Sequence, residues 1–171
     1  MIRGVDPIRD ITPEHRAVEE RRAREFSALP DNDLKNPRTK RAYRALGKAL
    51  LEQFDVMPIK VEISTKPKLD ADGEPVFYGD SPAFAEPYAN SDAMRRDVQQ
   101  NNHLFGLPTD AANFGPEGTD FSGHPLLEPS GRKDVNGREL LMNDVLRLVH
   151  DYFAHNMSAS QFGPKGEDAA W

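Results

Sequence analysis

Prolines stand at 67, 75, 82 and 87 and glycines at 73 and 79 between Lys66 and Ser91, and the stretch from Pro108 to Asn136 is punctuated in the same way. Proline has no N–H to donate and fixes φ, so neither stretch holds an extended helix. Regular helical structure is thereby confined to the segments around these two connections. Connections of such length inside one domain are usually functional or disordered. With 171 residues the chain is long enough to bury roughly two-thirds of its unfolded surface, so a single core is expected.

The helical segments carry their own start signals. Thr12 as cap, Pro13 at the first helical position and Glu14 in the first turn predict a helix over 13–28. From Glu14 to Glu25 it is dominated by charge, with Val18 and Phe26 among its few sizeable apolar residues, which describes a solvated surface helix. A second helix is predicted over 37–54, with Ala42, Ala45, Leu46, Ala49, Leu50 and Phe54 forming its core face. Alternation after Pro58 predicts a strand over 59–63, and Asp72-Gly73 between Leu69 and Val76-Phe77-Tyr78 predicts a hairpin. Ser91-Asp92 caps a short helix to about Asn101, followed by a strand at Leu104–Leu107, and 108–136 reads as an irregular connection. Asn143 caps the last helix, 144–155, with Asn156 as a left-handed stop. The expectation is an α+β fold, mainly helical, with a small sheet and long Pro/Gly-rich loops. Residues 1–36 form a charged helix and linker, and 37–171 the core domain. The near-match of residues 114–120 to 162–168, Phe-Gly-Pro-x-Gly-x-Asp, is expected to reflect similar Gly-Pro turns.

Composition removes several functions. The absence of cysteine excludes disulfide scaffolds, thiol nucleophiles and cysteine-ligated zinc. A formal charge of -6, with Lys and Arg spread through the chain, disfavours electrostatic capture of nucleic acid. No segment approaches the ~20 apolar residues of a membrane span, and MIRGVDPIRD contains no signal-type apolar run, so a chain kept in solution is expected. A Gly-x-Ser-x-Gly elbow and a phosphate-cradling Gly-x-x-x-x-Gly-Lys loop are both missing.

What remains is a cluster near the C-terminus. On an α-helical wheel Leu146, Val149, His150 and Phe153 form an apolar stripe, while Asp144, Arg147, Asp151 and His155 form a polar one. His150 and His155 are five apart and point about 140° away from each other on an unbroken α-helix. They serve one metal ion only if the helix ends or distorts between them. The bland alternative makes His150 a core histidine and Asp151–His155 a surface pair. In the chemical alternative, His150 and His155 are metal ligands and Asp151 or Glu167 is the general base or completes the shell around a divalent ion, zinc or manganese. His124 and Arg147 are further binding candidates, and Trp171 a packing or interface anchor.

The run Asn143-Asp144-x-x-Arg147-x-Val149-His150-Asp151-Tyr152-x-x-His155, followed by Phe162-Gly163-x-x-Gly166-Glu167-x-x-Ala170-Trp171, resembles a domain of bacteriophage and prophage proteins. That domain also occurs within large multidomain, polyvalent phage polypeptides. Tyr88, Ser91, Met94, Asp97, His103-Leu104 and His124–Glu128 fit as well, so the resemblance spans roughly residues 40–171. It implies a phage protein acting in the bacterial host cytoplasm or packaged in the virion, and no settled activity comes with it. In the domains it resembles the chain runs on past the tryptophan into a further helix, whereas here it stops at Trp171. Three functions stay open: a metal-assisted hydrolase, a non-catalytic virion or host-directed protein binding a host or phage partner or forming a homo-oligomer, and a nuclease or nucleotide-acting enzyme.

Overall fold

The computed structural model describes residues 13–28, 33–78, 81–110, 114, 121–163 and 166–167. It is an α+β fold with the helices α1 (Pro13–Ser27), α2 (Pro37–Asp55), α3 (Ser91–Asn101) and α4 (Met142–His150). Six short strands accompany them: β1 (Lys60–Ile63), β2 (Phe77–Tyr78), β3 (Ser81–Pro82), β4 (His103–Gly106), β5 (Pro129–Lys133) and β6 (Glu139–Leu141). No helix of the described chain is long and apolar enough to cross a membrane.

The strands pair two by two. β1 and β4 are parallel, with Val61 opposite Leu104, and α3 lies in the connection between them. β2–β3 and β5–β6 are antiparallel. The expected hairpin at Asp72-Gly73 is present as a Leu69–Pro75 bridge, with Gly73 at φ +87. Part of the connection expected to be irregular is the β5–β6 hairpin. β5 is short and polar and β6 has only three residues, so no alternation announces them, and the Asp134 carboxylate holds the turn by accepting from the Asn136 and Arg138 N–H groups.

α4 is the central element. It packs on α2 on one side and on β4 on the other, and its residues Met142, Val145, Leu148 and Val149 join Leu50, Val61, Met94 and Leu104 in the core. Close approach to β4 depends on Gly106, where a Cβ would come within 2.9 Å of the Leu148 side chain. Asp144, although charged, is 2% exposed because its carboxylate accepts from Thr109 N–H and Oγ–H and from Leu141 N–H. It therefore fixes the start of α4 instead of belonging to a polar surface stripe.

α2 buries a different face from the expected one. Leu50 is buried, and Leu51 and Phe54 pack beside it, as expected only for Leu50 and Phe54. Ala42, Ala45, Leu46 and Ala49 are exposed. α1 matches its expected span, and none of its described side chains is buried. The 114–120 and 162–168 echo lies largely outside the described residues.

Candidate metal centre

α4 changes its winding where the histidines stand. Met142–His150 is α-helical, and Asp151–Met157 continues as a π-helix, whose hydrogen bonds join residues five apart. A five-residue ladder stacks side chains that α-winding would separate by about 140°. His150 and His155 accordingly face each other edge to face, with ring centroids 4.8 Å apart. The helix does not stop at Asn156 as expected. The left-handed residue is Ala159, at φ 60, and Ser158 Oγ ties off the last turn on the Ala154 carbonyl.

His155 is 1% exposed. Its Nδ1 lies 3.2 Å from the Ser160 carbonyl oxygen. A carbonyl only accepts, so Nδ1 donates to it and Nε2 is the nitrogen left to face a ligand. Phe162 closes over the ring edge-on at 4.9 Å. His150 keeps 34% of its side chain open to solvent. The expected burial of the two histidines is thus reversed, because the stripes were drawn at 100° per residue and the chain here turns by less.

Glu167 joins the pair. Its Oε1 lies 3.1 Å from His155 Nε2 and its Oε2 lies 3.3 Å from His150 Nε2. The loop from Gln161 delivers this carboxylate. Buried Ser91, at the start of α3, donates from Oγ to Gln161 Oε1 at 2.8 Å, and Gly163 at φ +102 turns the chain so that Gly166 and Glu167 N–H both bond its carbonyl. Position 166 tolerates only glycine, since a Cβ there would fall on the Gln161 carbonyl oxygen.

Asp151 Oδ1 lies 3.5 Å from the other nitrogen of His150, Nδ1. About a third of its side chain is open, yet burial among dense neighbours holds its carboxyl above the ordinary range, against the opposing pull of His150, His155 and Arg147. His150, Asp151 and His155 offer ligand atoms within 4.8 Å of one another. The contacts to Glu167 are shorter and use both Nε2 atoms, whereas Asp151 meets the opposite nitrogen of His150. Two donors on one tetrahedral zinc, each about 2.0–2.2 Å from it, sit about 3.3–3.6 Å apart, close to the spacings seen here.

A network that sequence reasoning had not assembled lies alongside. Tyr88 O–H donates to Asp97 at 2.6 Å and accepts from Phe105 N–H, and His103 sits between Asp97 at 3.0 Å and Glu62 at 3.4 Å. Burial and Asp97 push the Tyr88 phenol well above its usual range, and Asp151 adds to the same effect. Burial raises Asp97, but hydrogen bonds from Asn101, Tyr88 and His103 outweigh it and hold the carboxyl low. These residues are too far apart in sequence for spacing to reveal them.

Arg147 is half-buried and lines a cavity of about 390 Å³ with Lys68, Tyr78, Pro108 and Asp110. His124, expected among the binding residues, is elsewhere and fully engaged. Its Nδ1 accepts from Leu126 N–H at 3.2 Å, its Nε2 meets Tyr43 Oη at 3.0 Å, and Phe114 and Phe121 pack on its ring. With 4% exposure it is a structural cap, because both nitrogens are spent inside the fold. Trp171 lies outside the described residues. No family model, no curated protein and no solved structure matches this chain.

Proposed function

We propose that this chain is a phage-encoded, metal-assisted hydrolase whose divalent ion, zinc or manganese, is held by His150 Nε2, His155 Nε2 and Glu167. One observation carries the reading. The Ser160 carbonyl engages His155 Nδ1, so Nε2 faces a carboxylate oxygen at 3.1 Å. Such a pair needs a cation between its atoms, a proton or a metal ion, and the same carboxylate presents its other oxygen to a second imidazole, an arrangement that one divalent ion serves at once. The phage setting rests on the resemblance of the two C-terminal motifs alone.

Three protein donors leave coordination open, which is the habit of catalytic zinc sites, whereas structural ones close with four. When bound, the ion would supply Lewis acidity and lower the pKa of a coordinated water. The chain's own residues do the rest. Asp151 orients His150 through Nδ1 and is the nearby carboxylate able to take a proton. Arg147, one turn earlier on α4, lines a cavity with Lys68 and would position an anionic part of a substrate that extends there. Metal analysis and calorimetric titration of the full chain should find about one divalent ion per molecule, and hydrolysis of an ester or phosphodiester panel should vanish with chelator and return with zinc or manganese. Absence of specific binding by any first-row divalent ion would sink the proposal.

A further inference from the structure

We propose that the groove between α2 and the 3₁₀ turn Pro125–Leu127 binds the backbone of a single-stranded nucleic acid. The starting point is a local charge imbalance that the net charge conceals. Between Pro37 and Lys48 the chain carries five basic side chains and no acidic one, although its formal total is -6. Lys40, Arg44 and Lys48 are four apart on α2, so they form one stripe with a step of about 6 Å along the helix. All three are exposed and line the same cavity of about 450 Å³. Lys40 lies in the first turn of α2, where the helix dipole adds positive potential.

The groove offers more than charge. Its floor includes Leu51, Leu126 and Met142, and Tyr43 lines it beside the cations. Glu128 also reaches the cavity, and Lys48 meets Glu52 at 3.7 Å, but that pair is 79% and 68% exposed and binds Lys48 weakly. A row of evenly spaced cations beside an aromatic ring and an apolar floor is how sequence-tolerant proteins hold single strands, with phosphates on the cations and bases on the flat surfaces. An acidic peptide would need carboxylates at alternate positions to match the same row, whereas a phosphodiester strand carries a charge at every step. A duplex fits poorly, since its second strand would face the acidic remainder of the molecule.

The test is fluorescence anisotropy of a labelled ten-residue oligo-dT with the full chain in EDTA, so that its outcome is independent of the metal site. With three phosphates engaged, the log–log salt slope should be about -2, or roughly 20-fold weaker binding at 200 mM than at 50 mM salt. Lys40→Gln, Arg44→Gln and Lys48→Gln together should cost at least about tenfold and flatten that slope. A control with the same charge change at exposed Lys66, Lys133 and Arg138 should stay within about twofold, because distant surface charges are screened. Tyr43→Leu should weaken binding by about fivefold or more with the slope unchanged, by loss of stacking, while Tyr43→Phe, which loses the same bond to His124 but keeps the ring, should bind as the wild type does; this pair keeps the idea testable if the triple variant folds poorly. The proposal is overturned if the oligonucleotide does not bind at low salt, if the control loses as much as the stripe variant, or if a ten-residue polyglutamate displaces the oligonucleotide with equal affinity.

Discussion

His124 and His155 are buried to nearly the same degree, at 4% and 1% exposure, and their surroundings differ in one respect. Around His124 the fold supplies a partner for each ring nitrogen, a backbone N–H on one side and a phenol on the other. Around His155 it supplies one partner, a carbonyl, and aims the second nitrogen at a carboxylate shared with His150. Burial alone therefore does not separate a structural imidazole from a chemical one. What separates them is whether the fold has already satisfied both nitrogens, and that depends on residues that sequence spacing leaves unassigned.

The comparison breaks most visibly in metal affinity. Glu167→Ala or His150→Ala should weaken divalent-ion binding by about 100-fold or more, since each removes a proposed ligand, whereas His124→Phe should leave it unchanged. Both ligand positions are partly open, so these variants should remain folded; His155→Ala is the poorer test because it also empties a fully buried volume. Equal effects at 124 and 150 would erase the distinction. In thermal or urea unfolding of the metal-free protein the order inverts. His124→Phe should cost about 1–3 kcal/mol by stranding the Leu126 N–H and the Tyr43 hydroxyl, while His150→Ala should cost about 1 kcal/mol or less.

Asp151→Asn sharpens the argument at the level of orientation. A partner behind a metal-binding imidazole typically contributes about tenfold or more in affinity, so titration should show a drop of about tenfold without loss of stoichiometry. The smallest expected effect is on pH dependence. Burial lowers the pKa of His124 below the ordinary imidazole value of 6.5. As pH falls through 6.5 the unfolded chain binds a proton before the folded one does, so stability declines and levels off below the folded value. Urea midpoints measured in EDTA should show a shallower decline for His124→Phe than for the wild type, and parallel curves would contradict the assignment.

Much of the framework was legible because it is written in local signals. α1 and α2 begin at Pro13 and Pro37 as expected, α3 begins at Ser91 with Asn90 as its cap in place of the expected Ser91-Asp92, and β1 follows the alternation after Pro58. Tertiary facts were not. The buried face of α2 turns toward Gly47, which lies beside the Met142 side chain, and a count of apolar residues passes over a glycine. The short strands β5 and β6 are held by the Asp134 turn and by pairing, and neither is long enough to show a hydrophobic period. At the candidate site the four residues His150, Asp151, His155 and Glu167 were identified from their types, and the structure brings them together. Their arrangement was hidden because a wheel drawn for 3.6 residues per turn misplaces every side chain after the winding changes.

The π-wound turn has a genetic reading as well as a geometric one. Relative to an α-helix, the ladder from Asp151 to Met157 accommodates one additional residue between the two histidines, as though a codon had been inserted and the fold had absorbed it by widening. Deleting Ala154 would bring the histidines to a four-residue spacing, which an ordinary α-helix already places on one face. Such a chain should regain a stable, uniformly α-helical end to α4 while its imidazoles still converge. Its Glu167, set by the Gln161–Gly166 loop for the wider turn, would then meet them out of position, so the deletion would trade carboxylate alignment for helix regularity and reveal how much of the site resides in the extra residue.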